Sequence, residues 1–337
     1  MPSKGNNSVP DKVDVLIAGA GPAGLAAANE LLKSGASVLM VDARKKIGSP
    51  LRCLEITNSN IFELFNIEPR PRWTRWKQSE QRIFLNRPVF EYEVSLLLQQ
   101  AGIMVRSNTS VVGVGPFDGN GRNVTLTAGS RKSTVLARTI IAADGVSSTV
   151  SKMCGIDTRL SLDEIGCCAA YRLADTRVIN IDKHLMEFKE ETKPFFYWIF
   201  ITGRREAHVG VAVPGKKGFL ARRLLDRYID QNDHIQGGRI VENIAGNIPS
   251  TLPIEKPYTD GLLVTGTAAR LIWASNGEGI RHAVISGREA SKAIERTCGK
   301  SSSSDLLESY RKSINDLYES CYNHLEKRKK RDPVEKT

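Results

Sequence analysis

Two kinds of apolar pattern organise this chain. Residues 13–19 (VDVLIAG) and 37–42 (SVLMVD) are short and almost continuously apolar, the pattern of strands buried on both faces of a parallel sheet. Between them AAANELLKSG carries apolar positions at helical spacing and stops at Gly35. RPVFEYEVSLLLQQAG is helical again, but then TSVVGVGPFDGNGRNVTLTAGSRKSTVLARTIIAADG reads as short strands punctuated by Gly and Asn. The spacing therefore predicts a β-meander inserted into a nucleotide-type domain, with TIIAADG returning to the parent sheet. Near the end, Leu306, Tyr310, Ile314, Leu317 and Cys321 recur at helical spacing and predict one helix that finishes in a basic run at 327–331.

The first strand is followed by Gly19, Gly21 and Gly24 in GxGxxG spacing, and the second ends in Asp42. Small residues let backbone amides approach a pyrophosphate at a helix N-terminus, and an acid at that distance can accept ribose hydroxyls. The arrangement points to a dinucleotide, FAD or NAD before NADP. A glycine turn serving only tight helix–strand packing is the plain alternative.

Composition adds little that is unusual: 337 residues, 41% hydrophobic and 25% charged, as in ordinary globular proteins. The net charge of +11 favours anionic partners without choosing among metabolites, lipid headgroups and nucleic acid. Six cysteines, at 53, 154, 167, 168, 298 and 321, form no CxxC pair and read as thiols in a reducing compartment. Cys167 and Cys168 are adjacent on an expected strand, face opposite sides and are taken as structural. Five histidines without ligand spacing predict no metal. The polar start and the lack of an apolar span of about 18 residues suggest a cytoplasmic protein, with one-sided membrane contact left open.

Gly19-x-Gly21-x-x-Gly24, Asp42, the AADG turn at 142–145 and the later GLLVTGTAARLIWASNGEGIRHAVISG resemble the FAD-dependent enzymes of the p-hydroxybenzoate-hydroxylase fold. Within that group the chain is most similar to the geranylgeranyl reductase family. IGSPLRC (47–53) resembles its Gly-x-Pro-x-x-Cys loop, Tyr197, Trp198 and Phe200 nearly complete its YxWxFP motif, and Gly277-Glu278-Gly279-Ile280 matches its GEGI turn. The resemblance covers roughly 11–295. It implies an α/β fold, a Rossmann-like FAD-binding domain (11–155 and 256–300) with an inserted antiparallel β-sheet substrate domain (156–255), followed by a C-terminal helix and basic tail (301–337).

By that resemblance FAD would be held by Gly19, Gly21, Ala23, Gly24, Asp42, Ala43 and Arg44 in the first unit, and by Arg87, Asp144 and Gly145 in the middle. Gly266, Thr267, Gly277, Gly279 and Ile280 would complete the site. Cys53, Tyr197 and Trp198 become the catalytic candidates, and Phe195, Phe200 and Glu278 the substrate pocket. The implied reaction hydrogenates prenyl double bonds, with hydride from flavin and electrons from NAD(P)H, a ferredoxin or a quinol. An FAD monooxygenase acting on an aromatic or polyketide-like metabolite, and a non-redox member of the fold, are the alternatives.

Four departures from the family pattern bear on this. Thr267 stands where the family has the Asp of a Gly-Asp pair, Arg270 where glycine is usual, Ala274 where proline is common, and Ile201 in place of the last proline of YxWxFP. Threonine keeps one hydrogen bond but loses a carboxylate's strength. Strand alternation sends Tyr197 one way with Phe195, and Phe196 the other way with Trp198 and Phe200. The face toward ligand and the face toward core are not distinguished by sequence.

Glu278 either caps the following helix or faces substrate, and Arg281 and His282 either meet an anion or lie exposed. Arg70, Arg72, Arg75, Lys77 and Arg82 interleave with Trp73 and Trp76. That pattern suits a diphosphate, an anionic membrane or a solvated loop, and the flavin fold makes nucleic acid the weakest of its uses.

Overall fold

The computed structural model describes residues 9–52, 54–177, 185–297 and 304–331. The chain begins β1 (Lys12–Ala18), α1 (Pro22–Leu31), β2 (Val38–Val41), β3 (Ile56–Asn58), α2 (Ile61–Phe65), β4 (Thr74–Lys77) and β5 (Arg82–Leu85). It continues with α3 (Arg87–Gln100), β6 (Met104–Arg106), β7 (Ser110–Phe117), β8 (Arg122–Ala128), β9 (Arg131–Ala142) and α4 (Thr149–Met153). Next come β10 (Ile165–Ala174), β11 (Leu185–Glu187), β12 (Tyr197–Gly203), β13 (Glu206–Pro214), α5 (Ala221–Asp230) and β14 (Arg239–Pro249). The last elements are β15 (Tyr258–Thr259), β16 (Leu262–Val264), α6 (Ile280–Arg296), α7 (Ser304–Ser313) and α8 (Asn315–Arg331).

The principal sheet has the order β15-β16-β9-β1-β2-β6. β9 explains how the meander joins it. Its first half runs antiparallel to β8, while its second half lies parallel to β1, from Leu136 beside Lys12 to Ala142 beside Ala18. The apolar run of β1 is buried from Val15 to Ala18, as a strand covered on both faces requires. A five-stranded antiparallel sheet, β11-β12-β13-β10-β14, forms a second unit, and a third, small sheet has the order β3-β5-β4. These are the FAD-binding α/β unit and antiparallel sheet that the motifs implied.

α1 and α6 pack unusually closely. A β-carbon on Gly287 would stand 2.1 Å from the Ala23 carbonyl oxygen, and Ser291 Oγ donates to the Ala27 carbonyl at 2.9 Å. This contact fixes the middle of α6 against the first half of α1. The expected single C-terminal helix is instead two, α7 and α8, separated at Ile314. Ser313 Oγ donates to the Tyr310 carbonyl at 2.9 Å, a local bond that competes with the helical ladder. Leu306, Tyr310, Ile314, Leu317 and Cys321 all join the core of the principal sheet, and Tyr310 Oη donates to the Val264 carbonyl. Among the described residues no helix is long and apolar enough to cross a membrane.

Candidate functional site

Gly19 has φ +107°, and a β-carbon there would stand 2.4 Å from the Ala143 carbonyl oxygen, so the first turn presses against the 142–145 turn. At Gly24 the same atom would stand 1.8 Å from the Gly19 oxygen. Gly21 differs, with nothing within 4 Å of that position. Packing therefore dictates Gly19 and Gly24 but not Gly21, whose bare backbone fronts the N-terminus of α1. That terminus has Pro22 in its first turn and no side-chain cap. Open amides at a helix start suit phosphate, and the cradle fits the pyrophosphate of FAD.

Asp42 is more occupied than expected. Its Oδ2 accepts the Ala20 N–H and Arg44 Nη2, both at 2.8 Å, while Oδ1 accepts the Arg44 backbone N–H and Nε at 2.8 and 2.9 Å. Four bonds fill a carboxylate's usual capacity, so a ribose would have to share Asp42 with Arg44. Burial alone would raise this carboxyl, but the Arg44 bonds hold it below the usual range. Ala43 beside it is exposed.

Arg44 also reaches Glu91 at 3.1 Å, and Arg87 pairs with the same acid. The Arg87 backbone N–H donates to Glu55 at 2.9 Å, and Glu55 takes Arg75 Nε at 2.8 Å. Alternating charges thus run from the first turn to the cavity wall, where Arg87 stands. The buried Glu55 and Glu91 escaped the sequence reading. The i,i+4 spacing of Arg87 and Glu91 was the one available signal.

Asp144 is turned toward its own helix. Its Oδ2 accepts the Thr149 and Val150 N–H groups of α4, and Oδ1 is buried without a partner among the described residues. Burial pushes its carboxyl up. Gly145 follows with φ +82°. Gly266 has φ +59° and donates its N–H to Ser286 Oγ at 2.9 Å, leaving Thr267 on the cavity wall.

The cavity, of about 530 Å³, lies between one face of the five-stranded sheet, the small sheet and the starts of α1 and α6. Pro22, Thr267, Gly277, Gly279, Ile280 and Ala283 form one side of it. Phe195, Phe196, Trp198 and Phe200 form the roof. Glu278 lines the wall with Oε1 buried and unpartnered among the described residues, and α6 has no side-chain cap, so the capping role is not realised. Burial pushes the Glu278 carboxyl up, against a smaller opposing pull from Arg82 and Arg281.

Tyr197 faces the other way and is corrected as a cavity residue. It packs in the cluster beneath α5, stacked on Tyr228 at 4.3 Å, with its hydroxyl bonded to Glu191 at 3.3 Å and pushed up to about 12 by burial. Phe195, expected beside Tyr197, joins the cavity because it precedes β12 and escapes the strand's alternation. Cys168 also lines the cavity, whereas Cys167 meets Gly218 on the far side, so the two face opposite sides as the strand reading expects. Cys53 lies outside the described residues.

Of the four departures, Arg270 and Ile201 sit away from the cavity, while Thr267 and Ala274 line it. Arg270 takes a left-handed backbone and donates from Nη2 to the Arg159 carbonyl at 2.9 Å, so it does not close the crevice. Ile201 points into the cluster beneath α5, and Ala274 lines the cavity. His282 is buried against Trp273, 5.1 Å between ring centres, with both ring nitrogens unpartnered among the described residues.

The basic-aromatic stretch is largely engaged internally. Trp73 donates to Glu93, which also takes Arg72 at 2.9 Å, while Arg75 holds Glu55 and Lys77 holds Glu80. Arg82 alone of its cations reaches the cavity.

The FAD binding domain family matches residues 12–67. The chain is 34% identical over 310 residues to the digeranylgeranylglycerophospholipid reductase of Methanosphaerula palustris, covering 84% of this chain and 76% of that protein. It is 33% identical over 347 residues to the protein of the same name from Methanocaldococcus jannaschii, covering 95% and 86%. Among solved structures it is similar to a geranylgeranyl bacteriochlorophyll reductase-like protein from Thermoplasma acidophilum, with TM-score 0.89, 23% identity and coverage of 96% and 88%. An anhydrotetracycline hydroxylase from Streptomyces rimosus shares the fold at TM-score 0.69 and 17% identity, covering 94% and 68%.

Proposed function

We propose a reductase of prenyl-lipid double bonds, because the chain belongs to the digeranylgeranylglycerophospholipid reductase family and its cavity is lined by aromatic and aliphatic side chains. It is an FAD-dependent oxidoreductase. Reduced FAD, when bound, supplies the hydride. Each double bond takes that hydride on one carbon and a proton on the other, and becomes a single bond. A donor restores the two electrons, which this reading assigns to NAD(P)H, a ferredoxin or a quinol.

The chain's own residues have three tasks. The open amides at the start of α1, with Gly21 left bare, and Thr267 would hold the cofactor. Phe196, Trp198 and Phe200 would hold the alkene by dispersion and keep water out, so that the hydride is not lost to solvent. Glu278, its carboxyl raised by burial, would keep a proton on the buried Oε1 and release it to the alkene carbon.

The observation that carries the reading is one cavity reaching from Pro22 at the start of α1 to the aromatic roof. Anaerobic incubation of the protein, reduced FAD and a polyprenyl glycerophospholipid should give products heavier by two hydrogens for each bond reduced. Product formed only with oxygen, and carrying an added oxygen atom, would favour a monooxygenase and sink the proposal.

A further inference from the structure

One end of the five-stranded sheet gathers exposed apolar side chains in a row. Register fixes which end: Glu187 pairs Tyr197, Tyr197 pairs Val211, Gly166 pairs Pro214, and Ile165 pairs Pro249. The connectors leaving these pairs all emerge together, carrying Phe188, Phe219, Leu162 and Leu252, each exposed, with Phe219 at 83%. With neighbouring strands about 4.8 Å apart, the row from β11 to β14 is about 19 Å long.

The connectors are tied into one surface. Lys217 Nζ donates to the Glu191 carbonyl, a β-carbon on Gly215 would stand 2.5 Å from the Leu162 oxygen, and Thr251 Oγ1 bonds Glu164 at 3.0 Å. The pairs Lys216–Asp163 and Lys193–Glu190 leave the row itself nearly neutral. Its cationic excess comes from α8. Arg328 bonds Ser250 and lies 5.5 Å over the Phe195 ring, which brings the last turn, with Lys327 and Lys330, to this edge.

The row is also continuous with the cavity. Met186 both lines the cavity and is exposed, and Phe188 packs on the roof residue Phe196 at 5.4 Å.

We propose that this edge docks on the surface of an anionic lipid bilayer, with Phe219, Leu162, Leu252 and Phe188 entering the interface and the end of α8 facing the headgroups. Exposed aromatic and aliphatic groups beside lysines match that interface, and the continuity of the row with the apolar cavity favours a lipid surface over an acidic protein. A prenyl substrate would then pass from the bilayer to the cavity past Met186 and Phe188. This last step rests on the function proposed above, whereas the docking itself does not.

The test is co-sedimentation of the full chain with phosphatidylcholine vesicles, with and without phosphatidylglycerol, alongside turnover of detergent-dispersed prenyl lipid. The chain should sediment with the anionic vesicles. Phe219→Ser should weaken partitioning about tenfold. The pair Lys327→Ser and Lys330→Ser should weaken it only when phosphatidylglycerol is present, and high salt should erase that difference. Turnover in detergent should stay within about twofold for both variants, because neither touches the cavity. Equal sedimentation with both vesicle types, or unchanged sedimentation of Phe219→Ser, overturns the docking surface. Absent turnover with the expected sedimentation overturns the proposed reaction and leaves the docking surface standing.

Discussion

Trp198 donates its indole N–H to Nδ1 of His208 at 3.2 Å, across the β12–β13 pair, and so fixes the wall of the cavity. The bond makes Nε2 the protonated nitrogen of His208, and burial pushes this histidine down to about 3, keeping it neutral as an acceptor. Between them Gly210 leaves the room: a β-carbon there would stand 2.1 Å from Trp198 Cζ2. Gly210→Ala should push the indole into the cavity, lower stability by about 1–3 kcal/mol and raise KM for the lipid more than it lowers kcat. Thermal melting and steady-state kinetics would check this, and an unchanged KM would remove Trp198 from the substrate wall. Tyr197→Phe, on the opposite face, should leave both kinetic constants within about twofold, since it lies outside the cavity and loses only its hydroxyl bond to Glu191.

Gly19 and Gly21 separate packing from cofactor binding. Gly19→Ala should fail to fold normally, because the added carbon meets the Ala143 carbonyl at a φ that L-residues avoid. Gly21→Ala meets nothing, so the cofactor-free protein should melt as the wild type does. Its FAD affinity should still fall at least about tenfold if the bare backbone faces pyrophosphate. Titration of FAD by fluorescence quenching would measure it, and full affinity would place the pyrophosphate elsewhere.

Glu278 makes a prediction about pH. Its carboxyl is raised from 4.5 in the folded chain, so the folded state binds this proton more tightly than the unfolded one. The stability that this provides is complete below about 4.5 and is lost as pH rises through the raised value. Glu278→Gln should remove that slope. If Glu278 delivers the proton, turnover should fall over the same rise in pH, and Glu278→Gln should be slower by about a hundredfold or more at every pH. A wild-type pH profile retained by the Gln variant would rule the role out.

His282 titrates in the opposite sense. Burial pushes it down to about 4 from 6.5, so the unfolded state binds more protons between those values. Stability is complete above 6.5 and is lost as pH falls toward 4, by up to about 3 kcal/mol for the full shift. His282→Leu should flatten acid unfolding in that window. Denaturant melts at pH 7 and 5 would show the difference narrowing, or refute it.

What could be read in advance was local. The turn from Gly19 to Gly24 follows from backbone geometry, and β1 and β2 from uninterrupted apolar runs, so the nucleotide half was legible in the chain. Strand parity also put Phe196, Trp198 and Phe200 together. It failed for Phe195, which lies before the strand begins, and parity could not say which face met the cavity, so Tyr197 was taken as catalytic although it stacks on Tyr228.

Groups brought together from afar were invisible. Nothing near His208 marks it as a partner of Trp198, nothing near Gly287 announces its contact with Ala23, and Cys168 reaches the cavity only because β10 lies beside β13 in the sheet that carries the roof. The basic-aromatic stretch read as open surface because two of the acids that engage it, Glu55 and Glu93, lie outside the run.

The contact between Gly19 and Ala143 has a consequence for synthesis on the ribosome. The segment bearing the glycine turn emerges early, yet its conformation is completed by a carbonyl that emerges only after the meander has been made, and its helix is clamped by Gly287 later still. A nascent chain released before those residues should therefore hold no FAD, and cofactor capture belongs to the end of translation.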